Sequence, residues 1–339
     1  MNNKQHLDLN LATFIGIDAH PSEHTALAMN RFEEEKGRVR FENTKEGISQ
    51  FLNWLTQMNI PSQRAVVGIE GGSSTRHALV RSLLAQYENV YEVNPLYTKQ
   101  RRQFGTRKVK SDPVDAKLIA DVLTRKLAEL PKIRKGELSD KSLCLKKLVW
   151  LYEEVTKRAT RIKNQQHQLK RELRLSESRQ EKQLLTGIIT GNTKELKTIR
   201  SQQKRLSAEL EKRLGEEGRN LTTVPGIGVV SAARIIAHTN GVGRFQTVDK
   251  FLSYAGIAPT ERSSGKSKRH TQNTKGNRKL NYTLYWAAIN QLTRNVKAKA
   301  YFDKKVAEGK SKKHALRCVM KRTAAIIYGM LKSGEAYKG

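Results

Sequence analysis

The chain has 339 residues, more than one hydrophobic core usually serves, and this length predicts two or three domains. Lysine and arginine number 64 against 32 aspartate and glutamate, and the formal net charge of +32 makes a polyanion the expected partner. No stretch approaches about 20 consecutive apolar residues and the first residues lack the pattern of a signal peptide, which argues against a membrane partner and predicts a soluble, cytoplasmic protein. Cys144 and Cys318 lie far apart, so neither a disulfide framework nor a zinc site is expected.

Strand and helix signals alternate over residues 1–135. Strands are predicted at 14–18, 25–29 and 39–41, and a helix then begins at Asn43, where Glu46 completes a capping box. An apolar strand at 64–70, a helix at 74–87 and a strand at 89–93 follow. The predicted order of this α/β domain is βββαβαβα.

The remaining chain is predicted to be all-α. Residues 136–216 lack proline and place leucines at near-heptad spacing, which favours a helical hairpin or coiled coil. Its break is expected at 186–192, with Asn192 and Glu195 capping the second helix. Residues 217–339 form a basic helical domain, since from Glu261 onward the chain has 20 lysine and arginine residues and 4 acids.

Four carboxylates are the strongest chemical signal. Asp18 and Glu70 each end an apolar strand, and Asp112 and Asp115 project from one side of a helical turn because they are three residues apart. Such acids repel each other unless cations neutralise them. Oxygen ligands without His or Cys select Mg²⁺ or Mn²⁺, and paired ions stabilise the attacking and leaving oxygens of phosphoryl transfer.

An ordinary helix start is the alternative explanation for the aspartate pair. Asp112 would then cap the helix, with Pro113 first and Asp115 third in it, where negative charge suits the helix dipole. Taken with the strand-end acids and the βββαβαβα order, however, the pattern resembles the ribonuclease H-like fold of RuvC-type nucleases. That resemblance favours a catalytic metal site.

Basic segments are predicted to contact nucleic acid. Residues 97–110 hold six lysines and arginines without an acid and are expected to form a phosphate-contacting loop, with a solvated basic surface as the alternative. Gly226 and Gly228 lie in a turn that resembles a helix-hairpin-helix motif, although a plain tight turn is the alternative. Ser264, followed by Gly265, lies in a flexible basic loop and is a candidate nucleophile, although a Ser-Ser-Gly sequence is more often an ordinary loop. The predicted nucleic-acid contacts are Arg101, Arg102, Arg107, Lys108, Lys110, Gly226, Gly228, Lys266, Lys268 and Arg269.

The motifs FIGIDAH, VVGIEGG, KSDPVDAKLIA, VPGIG, FLSYAGIAP and SSGK, in this order, resemble the DEDD transposases of the IS110 group of insertion sequences, which are relatives of the pilin-gene invertases. The resemblance runs over nearly the whole chain. It implies that Asp18, Glu70, Asp112 and Asp115 bind Mg²⁺ in the first domain. It also implies that a serine of the last domain attacks DNA and forms a phosphoserine link, and the family pattern selects Ser264, with Ser263 as the alternative.

The resemblance implies partners as well. It implies a structured guide RNA, called the bridge RNA, and a homo-oligomer, dimer or tetramer, assembled through the helical middle region. It places the protein at the nucleoid of a bacterial or archaeal cell. Three other functions stay open: a metal-dependent nuclease or junction resolvase that uses water, a DNA invertase, and a non-catalytic DNA- or RNA-binding protein.

Overall fold

A computed structural model of the chain describes residues 8–70, 76–103, 111–134, 139–239, 241–264, 267–272 and 276–339, with the backbone alone at 259–264 and 267–272. It forms two compact units, Met1–Ser139 and Asp140–Gly339. The division into three regions stays a prediction. Over the described ranges, no helix is long and apolar enough to cross a membrane.

The first unit has the predicted order of elements, with one additional helix before the aspartate pair. Its strands and helices are β1 (Thr13–Ala19), β2 (Glu23–Met29), β3 (Glu35–Glu42), α1 (Lys45–Gln57), β4 (Ala65–Glu70), α2 (His77–Gln86), β5 (Val90–Val93), α3 (Pro95–Gln103) and α4 (Asp112–Lys126). The three apolar runs interpreted as strands form β1, β2 and β4, each almost wholly buried.

The strands form one mixed sheet in the order β3-β2-β1-β4-β5. β1, β2 and β3 pair in antiparallel fashion, whereas β4 pairs in parallel with both β1 and β5. Parallel neighbours need crossover connections, which α1 and α2 supply. A five-stranded mixed sheet followed by a mostly helical body fits a ribonuclease H-like first unit.

The predicted start of α1 at Asn43 is wrong. The helix begins at Lys45, and Thr44 caps it because its side chain accepts a hydrogen bond from the Gly47 N–H at 3.0 Å. The Asn43 side-chain amide instead donates to the Pro21 carbonyl at 3.0 Å. Two adjacent residues of capping type made this end ambiguous in sequence.

The second unit is helical apart from one strand pair. Its elements are α5 (Asp140–Leu175), α6 (Arg179–Arg213), α7 (Gly215–Leu221), α8 (Val229–Thr239), α9 (Val248–Tyr254), β6 (Pro259–Ser264), β7 (Ser267–Gln272), α10 (Arg278–Arg294), α11 (Val296–Ala307) and α12 (Lys312–Ser333). Its core includes the fully buried Leu210, Phe251, Leu284 and Ile327, so α6 contributes to the same core as the C-terminal helices.

Helices α5 and α6 form the predicted hairpin, but the predicted break at 186–192 is wrong. The chain turns between Leu175 and Arg179, where the Ser178 side chain accepts from the Glu181 N–H at 3.4 Å. α6 runs unbroken through Gly187 and Gly191. A glycine costs a helix interior only about 1 kcal/mol, which the rest of a 35-residue helix easily offsets.

A buried carboxylate joins three helices of this unit. Glu153 of α5 is 8% exposed and lies 3.0 Å from His238 Nε2 on α8 and 2.7 Å from Lys279 Nζ on α10. Burial alone would raise the Glu153 pKa, but the hydrogen bonds from His238 and Lys279 outweigh it and lower that pKa to about 2. Glu153 is therefore a charged tie within the helical core.

Candidate active site

Asp18 and Glu70 lie side by side near the carboxyl ends of the neighbouring interior strands β1 and β4. This end of the sheet is called the sheet edge below. In the parallel pair of β1 and β4, Ile17 is opposite Ile69, so the two acids follow immediately at the strand ends. Ile17 and Ile69 are fully buried and fix the strands, whereas the two acids are half-buried. The adjacency expected from two strand-end carboxylates therefore exists in the fold.

Helix α4 lies directly on strand β1. A Cβ atom on Gly16 would lie 2.1 Å from the Ala116 carbonyl oxygen and 2.5 Å from the Ala120 nitrogen. Only glycine allows so close an approach of helix and strand backbones. The contact places the first turn of α4, with Asp112 and Asp115, beside the end of β1.

The helix-start alternative for Asp112 does not hold in its predicted form. Ser111 is the N-cap residue and Asp112 is the first residue of α4, with Pro113 next. Asp112 is exposed and Asp115 is half-buried. Both carboxylates still benefit from the positive end of the helix dipole.

Asp18 lies within electrostatic reach of the other three acids. The Asp18 pKa is raised from 3.8 to about 6, first by burial and then by the negative charges of Asp115, Glu70 and Asp112, with His20 opposing them. A carboxylate perturbed in this way by neighbouring acids is a common mark of a functional site. Burial and the neighbouring acids thus both disfavour the charged form of Asp18.

Two further side chains fix Glu70 and were not foreseen from the sequence. The Thr98 hydroxyl of α3 is buried and donates to Glu70 Oε1 at 2.8 Å. Arg76 Nη1 donates to the Glu70 carbonyl at 3.3 Å, while its Nη2 lies 3.0 Å from Glu92. No local motif marks these residues, because strand pairing and helix packing bring them to Glu70.

The basic segment before the aspartate pair was predicted to be a loop, and this is wrong up to Gln103, where α3 ends. Just before α3, the Asn94 side chain accepts a hydrogen bond from the Leu96 N–H at 2.9 Å. Within α3, Arg101 forms an ion pair with Asp121 and Arg102 forms one with Asp115. The predicted contacts Arg107, Lys108 and Lys110 lie outside the described residues.

The donor set at the sheet edge suits a divalent cation in its chemistry. All four side chains supply hard oxygen ligands, and the raised Asp18 pKa marks uncompensated negative charge. In the described part of the chain, no group of three or more His, Cys, Asp or Glu side chains is already close enough to hold a metal ion. Asp115 instead forms an ion pair with the Arg102 guanidinium.

The segment expected to be a flexible loop around Ser264 forms the hairpin of β6 and β7. Ser264 pairs with Ser267, and Ser263 pairs with Lys268, so Ser264 ends its strand at the turn. Arg269 follows Lys268 in β7, and Lys266 lies outside the described residues. The backbone therefore presents both candidate serines near the hairpin tip.

The base of this hairpin is closed by α9 and α10. The Asn277 N–H donates to the Tyr254 carbonyl at 2.7 Å, and the Asn281 side chain donates to the Ala255 carbonyl at 2.8 Å. A Cβ on Gly276 would lie 2.3 Å from the Gly256 nitrogen. The two ends of the segment are thus held together.

The predicted helix-hairpin-helix-like turn lies between α7 and α8. Gly226 has φ of +90°, and its carbonyl accepts from Asn290 of α10 at 3.3 Å. Gly228 is exposed and directly precedes α8. The positive φ explains the first glycine, and the exposed helix start suits an anion.

Two family models match the chain in succession. A DEDD transposase model named for IS110 matches residues 15–173, which include all four acids. A model described as "Transposase IS116/IS110/IS902 family" matches residues 218–303, which include the hairpin. The chain belongs to the IS110 family of transposases.

Individual relatives agree with this assignment. The chain is 29% identical over 146 residues to an uncharacterised protein of insertion element IS110 from Streptomyces coelicolor, covering 42% of this chain and 36% of that protein. It is 24% identical over 159 residues to an uncharacterised protein of insertion element IS900 from Mycobacterium paratuberculosis, covering 46% of this chain and 40% of that protein. The matched part thus spans less than half of these two relatives. A pilin gene-inverting protein of Moraxella bovis is 23% identical, covering 96% of this chain and 97% of that protein.

Proposed function

We propose that this IS110-family transposase cuts and rejoins DNA by Mg²⁺-dependent phosphoryl transfer through a serine-DNA intermediate. The main support is the group of four acids at the ends of β1 and β4 and in the first turn of α4, where burial, and then the charges of the other three acids, raise the Asp18 pKa to about 6. The family supplies the reaction class. The closed hairpin that carries Ser264 supplies the candidate nucleophile.

Asp18, Glu70, Asp112 and Asp115 would hold the metal ion. Mg²⁺ fits because it prefers carboxylate oxygens and retains sites for water and phosphate oxygens, and Mn²⁺ can replace it. When bound, the ion would supply charge stabilisation at a phosphate. Thr98 and Arg76 hold Glu70 in place for this role, through its carboxylate and its backbone.

The serine step conserves the energy of the DNA bond. The Ser264 hydroxyl loses its proton and attacks a DNA phosphorus, one phosphorus-oxygen bond breaks, and the departing strand end leaves as a hydroxyl. A hydroxyl of the partner strand later attacks the phosphoserine, which restores Ser264 and joins the new strands. No net hydrolysis occurs, so the reaction requires no nucleotide cofactor.

A structured guide RNA and a homo-oligomer belong to the same proposal. The net charge of +32 is large enough to serve two polyanions. Helices α5 and α6 leave apolar side chains uncovered within this chain, since Leu175 is 82% exposed and Leu184 is 65% exposed. Exposed leucines on long helices favour association with a second copy.

DNA inversion is the second candidate. Its support is the resemblance to the pilin gene-inverting protein over 96% of this chain. Inversion and insertion share cleavage and rejoining and differ in the arrangement of the DNA sites. The chemistry proposed for Ser264 is the same in both.

The experiment that tests the proposal looks for a covalent protein-DNA adduct on a denaturing gel. Purified full-length protein is incubated with Mg²⁺, DNA carrying the flanks of its gene, and RNA transcribed from those flanks. Wild type should form an adduct that Ser264→Ala and Asp18→Asn both lose, while the matched control Ser263→Ala keeps it. An adduct lost only in Ser263→Ala would transfer the role to Ser263. Metal-dependent cleavage without an adduct, unaffected by Ser264→Ala, would show a hydrolytic nuclease.

A further inference from the structure

Arg101 and Arg102 are neighbours on α3, and each contacts an aspartate of α4. Arg101 Nε bonds to Asp121, whereas Arg102 Nη2 bonds to Asp115. Both ion pairs join an arginine of α3 to an aspartate of α4. They differ in the carboxylate that each arginine contacts, because only Asp115 belongs to the proposed metal ligands.

The Arg101 pair has the properties of a structural tie. Asp121 is 6% exposed and also accepts from Arg125 Nε at 2.7 Å, so two guanidinium groups share one buried carboxylate. Burial would raise the Asp121 pKa, but the hydrogen bonds and charges of Arg101 and Arg125 lower it. Two guanidinium groups thus stabilise the charged form of Asp121.

The Arg102 pair is less complete. Among the described residues Asp115 pairs with one guanidinium, whereas Asp121 pairs with two, and the Asp115 charge still contributes to the raised Asp18 pKa. Arg102 Nε is buried and has no hydrogen-bond partner in the part of the chain that the structure describes. A buried donor without an acceptor destabilises the arrangement that buries it. Arg102 therefore neutralises one of the four acids while its buried Nε has no acceptor among the described residues.

We infer that Arg102 is the counterion of the metal-free site, that a divalent cation and Arg102 compete for Asp115, and that the displaced guanidinium becomes a ligand for a DNA phosphate. The inference rests on the proposed metal site. The Arg102 guanidinium and a divalent cation repel each other at such short range, so each weakens the binding of the other to Asp115. A phosphate satisfies a guanidinium with two parallel hydrogen bonds, which suits the donors that Asp115 leaves free.

The competition couples metal and DNA. If DNA holds Arg102 away from Asp115, it removes the competitor and strengthens metal binding. By thermodynamic reciprocity, metal binding must then strengthen DNA binding by the same factor. Arg102 would thus make tight metal binding at the four acids depend on the presence of DNA.

The test measures binding of Mn²⁺ to full-length, nucleic-acid-free protein by electron paramagnetic resonance. Removing a positive charge within a few ångströms of a carboxylate changes its cation affinity by about tenfold or more. Arg102→Gln should therefore bind Mn²⁺ about tenfold more tightly than wild type, and Asp115→Asn should bind it more weakly. Arg101→Gln is the matched control and should stay within about twofold of wild type, because Arg125 still pairs with Asp121.

Arg102→Lys separates charge competition from a general disturbance of α3. A lysine retains the positive charge, so this variant should bind Mn²⁺ nearly as weakly as wild type. Added duplex DNA should tighten Mn²⁺ binding in wild type, and this effect should be reduced in Arg102→Gln. Circular dichroism and thermal unfolding of each variant verify that the protein is folded.

The outcomes distinguish two kinds of failure. If Asp115→Asn binds Mn²⁺ as wild type does, or if wild type binds none, the proposed metal site itself is wrong. If Asp115→Asn weakens binding but Arg102→Gln equals wild type, the metal site stands and the competition is overturned. Equal tightening by Arg101→Gln and Arg102→Gln also overturns it, because only general charge removal would then be acting.

Discussion

Single carboxylates play opposite electrostatic parts in the two units. Asp18 has a raised pKa because burial and three neighbouring acids oppose its charge. Glu153 has a lowered pKa because hydrogen bonds and positive charges of His238 and Lys279 outweigh its burial. The same kind of side chain is thus destabilised in its charged form in one unit and forms a charged tie between helices in the other.

The lowered pKa of Glu153 predicts that the stability of the protein depends on pH. Its folded pKa of about 2 lies below the usual 4.5, so its ionised form stabilises the protein above pH 4.5 and this contribution is lost as pH falls toward 2. Glu153→Gln should therefore lower the free energy of unfolding by about 2–3 kcal/mol at pH 7 and by less at pH 3. Urea denaturation followed by circular dichroism at both pH values measures this. A difference between variant and wild type that is constant with pH would contradict the prediction.

At the scale of elements, glycines decide where helices and strands can approach. Gly16 is surrounded by backbone atoms of α4, whereas a Cβ on Gly187 of α6 would meet nothing within 4 Å. The first glycine is required by packing and the second is not. The acidic site depends on the first, because the α4 contact brings Asp112 and Asp115 to Asp18.

Gly16→Ala should destabilise the first unit by about 2–3 kcal/mol, since the added methyl group would lie 2.1 Å from a backbone oxygen and α4 must move. The displaced helix should also weaken Mn²⁺ binding. Thermal unfolding and Mn²⁺ titration measure the two effects. Gly187→Ala is the control and should leave stability unchanged or raise it by about 0.5–1 kcal/mol, because alanine favours a helix interior. Equal effects of the two substitutions would refute the packing argument.

At the scale of the whole molecule, charge is divided unequally between the units. Residues 140–339 contain 43 lysine and arginine residues against 16 acids, a net charge of +27, whereas residues 1–139 contain 21 against 16. The second unit also has a hydrophobic core of its own. Most of the general attraction for nucleic acid should therefore belong to the second unit, while the first unit contributes the acidic site.

A fragment of residues 140–339 should fold alone and keep most of the affinity for duplex DNA. If about 6–10 phosphates are contacted, its affinity should fall by about 10³–10⁵ between 50 and 200 mM salt. Fluorescence anisotropy with a labelled duplex measures this, and circular dichroism verifies helix content. A fragment of residues 1–139 is the control and should bind far more weakly. A folded 140–339 fragment without DNA affinity would show that charge does not locate the binding surface.

The order βββαβαβα, the helical hairpin and the candidate acids could be predicted from the sequence, because they depend on local periodicity and on residues at strand ends. Helix ends were less certain: Thr44 replaced Asn43 as the cap, and the glycines of α6 did not break it. A local sequence pattern does not show which of two adjacent capping residues begins a helix. It also does not show whether the other residues of a long helix offset the cost of a glycine.

Only the tertiary structure decided which side chains meet. The pairing of β1 with β4 and the contact of α4 with Gly16 bring the four acids to one edge. The same packing assigns Arg101 to Asp121 and Arg102 to Asp115, although the sequence presents the two arginines as equal members of one basic run. Partners distant along the chain are set by strand register and helix packing, and local spacing does not encode them.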